Sequence, residues 1–319
     1  MAEALDVPYV VATTNGSIAI LMALMSLGIK AGDEVIIPNR TWIATAHAPM
    51  MLGAKLVMID VLPDRPVMDT SLIREKINSR TRAIIPVPLC GCAVNMEEVW
   101  QIAKDHGIFV VEDAAQGLFS KYKGEYMGTR SDVGCFSLAI SKLVSTGQGG
   151  FTATRNKKLY EQMRLIRVHG VESVNDATPF MRMGFNFRYT DLHASLGLVQ
   201  LGKVEERIKN LKKIYTIYRD ALQELEWIKL IPVHVEDGEV PLYVEIMVEE
   251  REKIMEYLAS KNIQTRAIYP DLDSAKHLNC ENDYPNARVF GKQGLVLPCG
   301  PDQPMENVER VLMELEHYG

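Results

Sequence analysis

Residues 96–116 read MEEVWQIAKDHGIFVVEDAAQ. Met96–His106 has the length and pattern of an amphipathic helix, and Gly107 supplies its stop. Ile108–Val111 then reads as a buried strand, with Glu112 and Asp113 at its carboxyl end. Toward the N-terminus the same alternation repeats. Tyr9–Thr13, Glu34–Pro38, Lys55–Ile59 and Ala83–Val87 have strand character, and Ile18–Leu27, Trp42–Met51 and Asp69–Ile77 have helix character. Ile18–Leu27 is apolar nearly all round, which marks a buried helix. Strands alternating with helices predict a mostly parallel sheet covered on both faces, an α/β fold. Ligands of such sheets sit beyond the carboxyl ends of the strands. The loops after Thr13, Pro38, Val87 and Val111 therefore carry the search for a site.

Toward the C-terminus, Tyr122–Tyr126 reads as a hairpin turn with Gly124 at the position that needs it. Gly147, Gly149 and Gly150 precede a short strand, Phe151–Thr154. Asp191–Leu225 is a long amphipathic stretch of one or two helices that carries the chain out of the first domain. Trp227–Gly319 has strand, helix and strand patterns of its own and predicts a smaller α+β domain. The expected division is 1–205 and 206–319, with a helix rather than a Pro/Gly/Ser linker as the joint.

The chain has 319 residues, 47% of them hydrophobic and 24% charged, a usual globular mix for about two domains. Its net charge of −6 argues against a nucleic-acid binder with a basic face but leaves room for an anion site built from backbone amides. The cysteines at 90, 92, 135, 280 and 299 are odd in number and irregular in spacing, which predicts no disulfide framework and a reducing, cytoplasmic compartment. Cys90 and Cys92 lack the further ligands of a structural zinc site. The N-terminus carries Glu3 and Asp6 without an apolar run, and no stretch has the length of a membrane span, so neither a signal peptide nor a membrane partner is expected.

Three segments could carry chemistry. In Thr13–Ser17, Gly16 permits a tight turn and the following helix offers free N–H groups, so Gly16 and Ser17 form a candidate phosphate cradle; an ordinary helix cap fits the same residues. Asp113 stands where a ligand should lie and could hold a proton on a heterocyclic nitrogen, or simply cap a helix. Lys142 ends the apolar stretch CFSLAISK, where desolvation would lower its pKa and free its amine, unless it only reaches for water. A cradle, a carboxylate and a desolvated lysine, in this order on an α/β scaffold, are the three grips needed for pyridoxal 5′-phosphate. Trp42, after the strand end at Pro38, could stack on the pyridine ring.

The chain resembles the DegT/DnrJ/EryC1/StrS family, sugar aminotransferases of fold type I. The resemblance is carried by residues 15–48 (NGSIAILMALMSLGIKAGDEVIIPNRTWIATAHA), 53–61 (GAKLVMIDV), 112–116 (EDAAQ), 134–150 (GCFSLAISKLVSTGQGG), 167–170 (RVHG), 184–201 (GFNFRYTDLHASLGLVQL) and 297–301 (LPCGP). It implies that Lys142 forms the Schiff base with the cofactor and then shuttles the proton, and that Asp113 pairs with the pyridine nitrogen. It further implies that Gln116 contacts the ring hydroxyl, that Gly16, Ser17 and Ile18 cradle the phosphate with the Ser137 hydroxyl, and that Trp42 stacks on the ring. Asn186 would reach the site of a neighbouring subunit, which implies a homodimer. Arg188 and His169 are expected only in the surroundings, and Tyr269 is a candidate substrate contact. The reaction that the resemblance implies moves an amino group from glutamate or glutamine to a nucleotide-linked keto sugar, in amino-sugar or surface-polysaccharide biosynthesis.

Two departures stand against the family pattern. The family usually has a few dozen residues before the point matching Met1, an N-terminal arm and helix expected near the dimer contact. The stretch Arg266–Asp271 lacks the family's histidine soon after the proline. Other readings on the same fold are a sugar dehydratase, which would carry histidine in place of Lys142, and a non-catalytic sensor. A cysteine desulfurase would want histidine at Ser141 and Cys280 or Cys299 as sulfur carrier.

Overall fold

The computed structural model describes residues 1–173, 175, 179–278 and 283–319. Cys280 lies outside the described residues. Nine strands and five helices come first. The strands are β1 (Tyr9–Thr13), β2 (Glu34–Pro38), β3 (Lys55–Ile59), β4 (Thr81–Ile84), β5 (Phe109–Asp113), β6 (Lys121–Tyr122), β7 (Glu125–Tyr126), β8 (Val133–Ser137) and β9 (Gly150–Thr154). The helices among them are α1 (Gly16–Ser26), α2 (Ala44–Met51), α3 (Ile73–Lys76), α4 (Met96–His106) and α5 (Lys157–Arg167). Seven strands form one sheet in the order β1-β9-β8-β5-β4-β2-β3. The pairs from β8 through β5, β4, β2 and β3 are parallel, and β9 runs antiparallel between β1 and β8. This is the mostly parallel, helix-covered α/β sheet that the alternation predicts.

The reasons lie in the residues. All five residues of β2, β8 and β9 are buried, as strands covered on both faces must be. α1 buries Ala19, Ile20, Met22, Ala23 and Leu24, and packs on α2, α5 and the sheet. α4 buries only the stripe Met96, Val99, Ile102 and Ala103. Glu97 and Glu98 sit in its first turn, Lys104 and His106 in its last, and Gly107 takes the left-handed cap at φ +64°. The β6–β7 hairpin turns on Lys123 and Gly124, both at positive φ, the backbone that a two-residue hairpin loop requires.

Two expected elements are shorter than their apolar patterns. Asp69–Ile77 is not one helix: a 3₁₀ turn at Thr70–Leu72 leads into the four-residue α3. Asp69 Oδ1 accepts from the Ser71 N–H and hydroxyl, a local alternative to continuing the helix. Strand pairing of β4 stops near Ile84 rather than Val87, because Pro86 and Pro88 have no N–H to give.

After α6 (Asp191–Leu201) and α7 (Val204–Leu222), the strands β10 (Lys229–Leu230), β11 (Val244–Met247), β12 (Arg266–Ala267) and β13 (Gly294–Leu297) form a second sheet. Its order is β10-β11-β13-β12, all antiparallel. α8 (Arg251–Ser260), α9 (Pro285–Gln293) and α10 (Met305–Tyr318) complete this part. α7 packs on α10 and β10. The long stretch 191–225 is thus two helices. No helix among the described residues is long and apolar enough to cross a membrane.

The end of β5 is fixed by Glu112, whose carboxylate accepts from the Gly128 N–H at 2.6 Å and the Ser131 hydroxyl at 3.0 Å. Burial pushes its pKa up to about 7, and those two bonds only partly offset the shift. The folded value lies above the unfolded one. Its stabilising contribution is therefore complete below about pH 4.5 and is lost as pH rises through about 7. Glu112→Gln keeps both partners and removes the titration. The variant is expected to flatten the fall in unfolding free energy between pH 4.5 and 7.5 by up to about 3 kcal/mol, which urea denaturation at a series of pH values measures.

Candidate active site

At the carboxyl ends of the parallel strands lies a cavity of about 460 Å³. Its walls come from the loops after β1, β2, β4, β5 and β8, and from Tyr243, Arg266 and Tyr269 on the side of the second sheet. Gly16, Ser17, Trp42, Asp113, Gln116, Ser137 and Lys142 all line it. The sequence separates these seven residues by more than a hundred positions; the sheet brings them to one place.

Asp113 closes β5 and is buried. No helix follows it, so it caps none. The chain turns, and Asp113 Oδ1 accepts from the Ala115 N–H at 3.3 Å while Oδ2 accepts from the Thr45 hydroxyl at 2.7 Å. The Thr45 hydroxyl meets that of Thr41 at 2.9 Å. Burial raises the Asp113 pKa, and the hydrogen bonds and the charge of Lys142 pull it back only in part. Its partners within bonding distance are neutral, so this carboxylate suits a cationic N–H arriving from the cavity.

Lys142 follows β8 by five residues, its N–H bonded to the Ala139 carbonyl at 3.0 Å. Burial depresses the amine; the charge of Asp113 opposes the shift and that of Arg266 adds to it. The cavity thus holds a carboxyl pushed up and an amine pushed down, the kind of opposed shift that marks a candidate functional site.

At the start of α1, Asn15 is the cap: its Oδ1 accepts the Ile18 N–H at 2.9 Å. Ile18 is therefore already engaged and is not among the cavity-lining residues, unlike the expectation for it. The Gly16 and Ser17 N–H groups remain, without intrahelical acceptors. A Cβ on Gly16 would stand 2.9 Å from the Ser137 Cβ, and one on Gly150 would stand 2.7 Å from the Gly16 nitrogen. Both glycines let the start of α1 approach Ser137 and Gly150 closely, and Gly16, Ser17 and Ser137 line the same cavity.

Gln116 is buried; its Oε1 accepts the Cys90 N–H at 3.0 Å and its Nε2 donates to the Tyr269 hydroxyl at 3.4 Å. Trp42 is 56% exposed, at the mouth, with Tyr269 edge-on to it at 5.7 Å. Asn186 does not line this cavity; it is exposed and its Oδ1 accepts from Arg188 Nε at 3.0 Å. Arg188 and His169 are also exposed and away from the cavity walls. Cys299 is buried, its Sγ accepting the Val244 N–H, and Ser141 lines the cavity beside Lys142.

Sequence reasoning missed the residues that hold the two sheets together here. Asn39 exchanges side-chain bonds with Asp273 (Nδ2 to Oδ1 at 3.1 Å; Asp273 N–H to Oδ1 at 2.9 Å), and its carbonyl accepts the Leu272 N–H at 2.9 Å. Arg40, fully buried, pairs with Asp271 and lies 5.8 Å from the Tyr269 ring centre and 5.6 Å from that of Phe290. Gly291 admits the Asp271 carboxylate, since a Cβ there would lie 2.3 Å from Oδ2. An arginine directly after strand and turn residues was the available signal.

Comparison with known proteins follows the same lines. The model of the DegT/DnrJ/EryC1/StrS aminotransferase family matches residues 1–316. The chain is 34% identical to GDP-perosamine synthase of Escherichia coli O157:H7, over 99% of this chain and 87% of that one. It is 30% identical to GDP-perosamine synthase of Caulobacter vibrioides with the same coverage. Among solved structures, DesV of S. venezuelae in complex with a ketimine intermediate superimposes with a TM-score of 0.95 at 28% identity, covering 99% of this chain and 86% of that one.

Truncating the buried pair tests how firmly it closes the cavity. Arg40→Met leaves Asp271 without its cation and is expected to cost roughly 3–5 kcal/mol in urea denaturation. Adding Asp271→Asn should restore part of that loss, because the orphaned carboxylate is gone.

Proposed function

Because the chain belongs to the DegT/DnrJ/EryC1/StrS aminotransferase family, whose enzymes work with pyridoxal phosphate, we propose that it moves the amino group of glutamate or glutamine onto a nucleotide-linked keto sugar. It is a sugar aminotransferase of amino-sugar biosynthesis; the nucleotide, the donor and the residue roles are the proposal. The GDP-linked sugar in the names of its relatives makes a GDP-linked 4-keto sugar the first acceptor to try. The observation that carries the reading is the single cavity with a depressed amine, a buried carboxylate and free helix amides on its walls.

Bound there, pyridoxal phosphate supplies an aldehyde carbon that takes up the amino group and a pyridinium ring that withdraws electrons from the carbon carrying it. The Gly16 and Ser17 amides, with the Ser17 and Ser137 hydroxyls, hold the phosphate. Asp113, oriented by Thr45, keeps the proton on the ring nitrogen. Gln116 would meet the ring hydroxyl and Trp42 would pack on the ring. Lys142 Nζ would move the proton between the substrate carbon and the cofactor carbon that takes up the amino group, in one direction for the donor and in the other for the acceptor, and burial shifts the amine toward its neutral form.

A second copy of the chain belongs in this reading. α6 buries none of its own residues, and Leu192, Leu196, Leu198 and Val199 on it are exposed, as are Phe180, Met181, Met183 and Phe185 shortly before it in the chain. So large an apolar surface supports a homodimer. Asn186 follows that run in sequence, is exposed and does not line its own cavity, which is consistent with a residue serving a partner's site. We assign 1–205 to the cofactor domain and 206–319 to the smaller domain, and place the enzyme in the cytoplasm. Lys142 favours transamination over the dehydratase reading, and the comparisons give the dehydratase and sensor readings no support.

Lys142→Ala is expected to lose turnover by at least about 10³-fold and to lose the visible absorption of the bound cofactor. A variant with full activity overturns the mechanism. Adding a panel of nucleotide-linked keto sugars to the pyridoxamine form, read by return of that absorption, identifies the acceptor.

A further inference from the structure

Two cationic side chains line the cavity among the described residues, Lys142 and Arg266. Both also line an adjoining cavity of about 440 Å³, so Arg266 stands at the junction of the two. Its surroundings leave the guanidinium uncommitted. No carboxylate among the described residues lies within ion-pair distance of it. It rests over the face of Tyr243, 5.0 Å from the ring centre, which fixes its direction without using its N–H donors. Glu245 occupies the same row across β11, β13 and β12; its Oε1 takes the Cys90 thiol at 2.9 Å, its Oε2 has no hydrogen-bond partner, and the charge of Arg266 acts on it from beyond ion-pair distance. The other arginines nearby each carry an ion pair and do not line the cavity that holds Asp113, although Arg40 Nε and Nη2 and Arg207 Nε are buried without partners. Arg40 is bound to Asp271, and Arg207 is bound to Asp302, Gln200 and the Leu143 carbonyl.

We propose that Arg266 binds the α-carboxylate of the amino-acid donor, and that it does not perform the same service for the keto sugar. This rests on the aminotransferase reading above. The donor's amino group and its α-carboxylate sit on one carbon. When that carbon presents its proton to Lys142, the carboxylate must lie beside Lys142 too. A dehydrated carboxylate needs a cation there, and the fork of a guanidinium is suited to it. Arg266 is the cation at that place that is free to act. A keto sugar puts a neutral ring at the same position, and its charged phosphates lie further along the molecule.

The binding has a consequence for Lys142. After burial, the positive charge of Arg266 is a smaller cause that holds the Lys142 amine down. A carboxylate seated on Arg266 cancels that charge and raises the proton affinity of Lys142 when it has to accept the donor's proton. The donor thereby prepares its own base.

The test uses the holoenzyme and separates the two half-reactions. In Arg266→Gln the concentration of glutamate giving the half-maximal rate of loss of the visible band is expected to rise about 10- to 100-fold. Return of the band with the accepted keto sugar should change less than about threefold, and Arg266→Lys should recover part of the loss. Equilibrium binding is read with α-methyl-L-glutamate, which has no α-proton to lose. Its affinity should fall by the same 10- to 100-fold range, with cofactor affinity and circular dichroism unchanged. Equal affinity in wild type and Arg266→Gln overturns this inference alone. Equal losses in both half-reactions overturn it as well, because they mark a general rather than a donor-specific role. If wild type uses the amino donor but accepts no keto sugar, the acceptor reading fails and the assignment of Arg266 stands. If wild type does not bind α-methyl-L-glutamate, both fall.

Discussion

The buried contact between Arg40 and Asp271 is what makes a cavity out of two sheets. A guanidinium with no exposure is costly to bury. Here the cost is offset by one carboxylate and by two aromatic faces, Tyr269 and Phe290. Asp271 shares in the cost, for burial pushes its pKa up to about 6 despite the pull of Arg40. The neighbouring Asn39 adds three hydrogen bonds to the same loop. The turn after β2 therefore serves two masters. Its first two residues grip the second sheet, and its next two, Thr41 and Trp42, reach the cavity. Tyr269 enters the cavity wall because the loop that carries it is held at Asp271.

The electrostatics inside the cavity follow from its burial. Asp113 is pushed toward its protonated form and Lys142 toward its neutral one, and each is the main charge opposing the other's shift. An active site built this way is short of charge rather than rich in it. The fixed dipoles around it are arranged in advance: the α1 amides at one wall, the Thr41–Thr45 hydroxyl pair and the Ala115 N–H at another. Preorganised dipoles of this kind need no rearrangement when a charged ligand arrives.

The large sheet was legible because its strands are short, continuous apolar runs and its helices carry either an all-apolar or a one-striped pattern. β1, β2, β3 and α4 fall where those patterns place them. The ends were less legible where local chemistry overrides the pattern. Asp69 diverts the helix after it, and Pro86 and Pro88 end the ladder of β4 early. The cavity-lining residues near strand ends, Gly16, Asp113 and Lys142, could be named from sequence because their positions are set by local order. Asn39, Arg40 and Arg266 could not. Asn39 and Arg40 have partners more than two hundred residues away, and Arg266 matters through the cavity wall it reaches; neither leaves a periodic trace. Ile18 shows the reverse error: a local rule offered its N–H as free, and a neighbouring side chain, Asn15, had already taken it.

A chain with a net charge of −6 has no long-range field to draw in anionic substrates. Nor does it need one at contact distance, because the cavity is lined mostly by neutral groups, with two cations, Lys142 and Arg266, against one carboxylate, Asp113. Screening in salt removes most of the influence of distant surface carboxylates and leaves the buried dipoles nearly untouched. Discrimination between an amino-acid donor and a neutral sugar ring then falls to groups within a few ångströms of Lys142. An unpaired guanidinium held over an aromatic face is the strongest such group on these walls. The sign of the whole protein and the sign of its site are thus set independently, the first by composition and the second by which few side chains the fold leaves without partners.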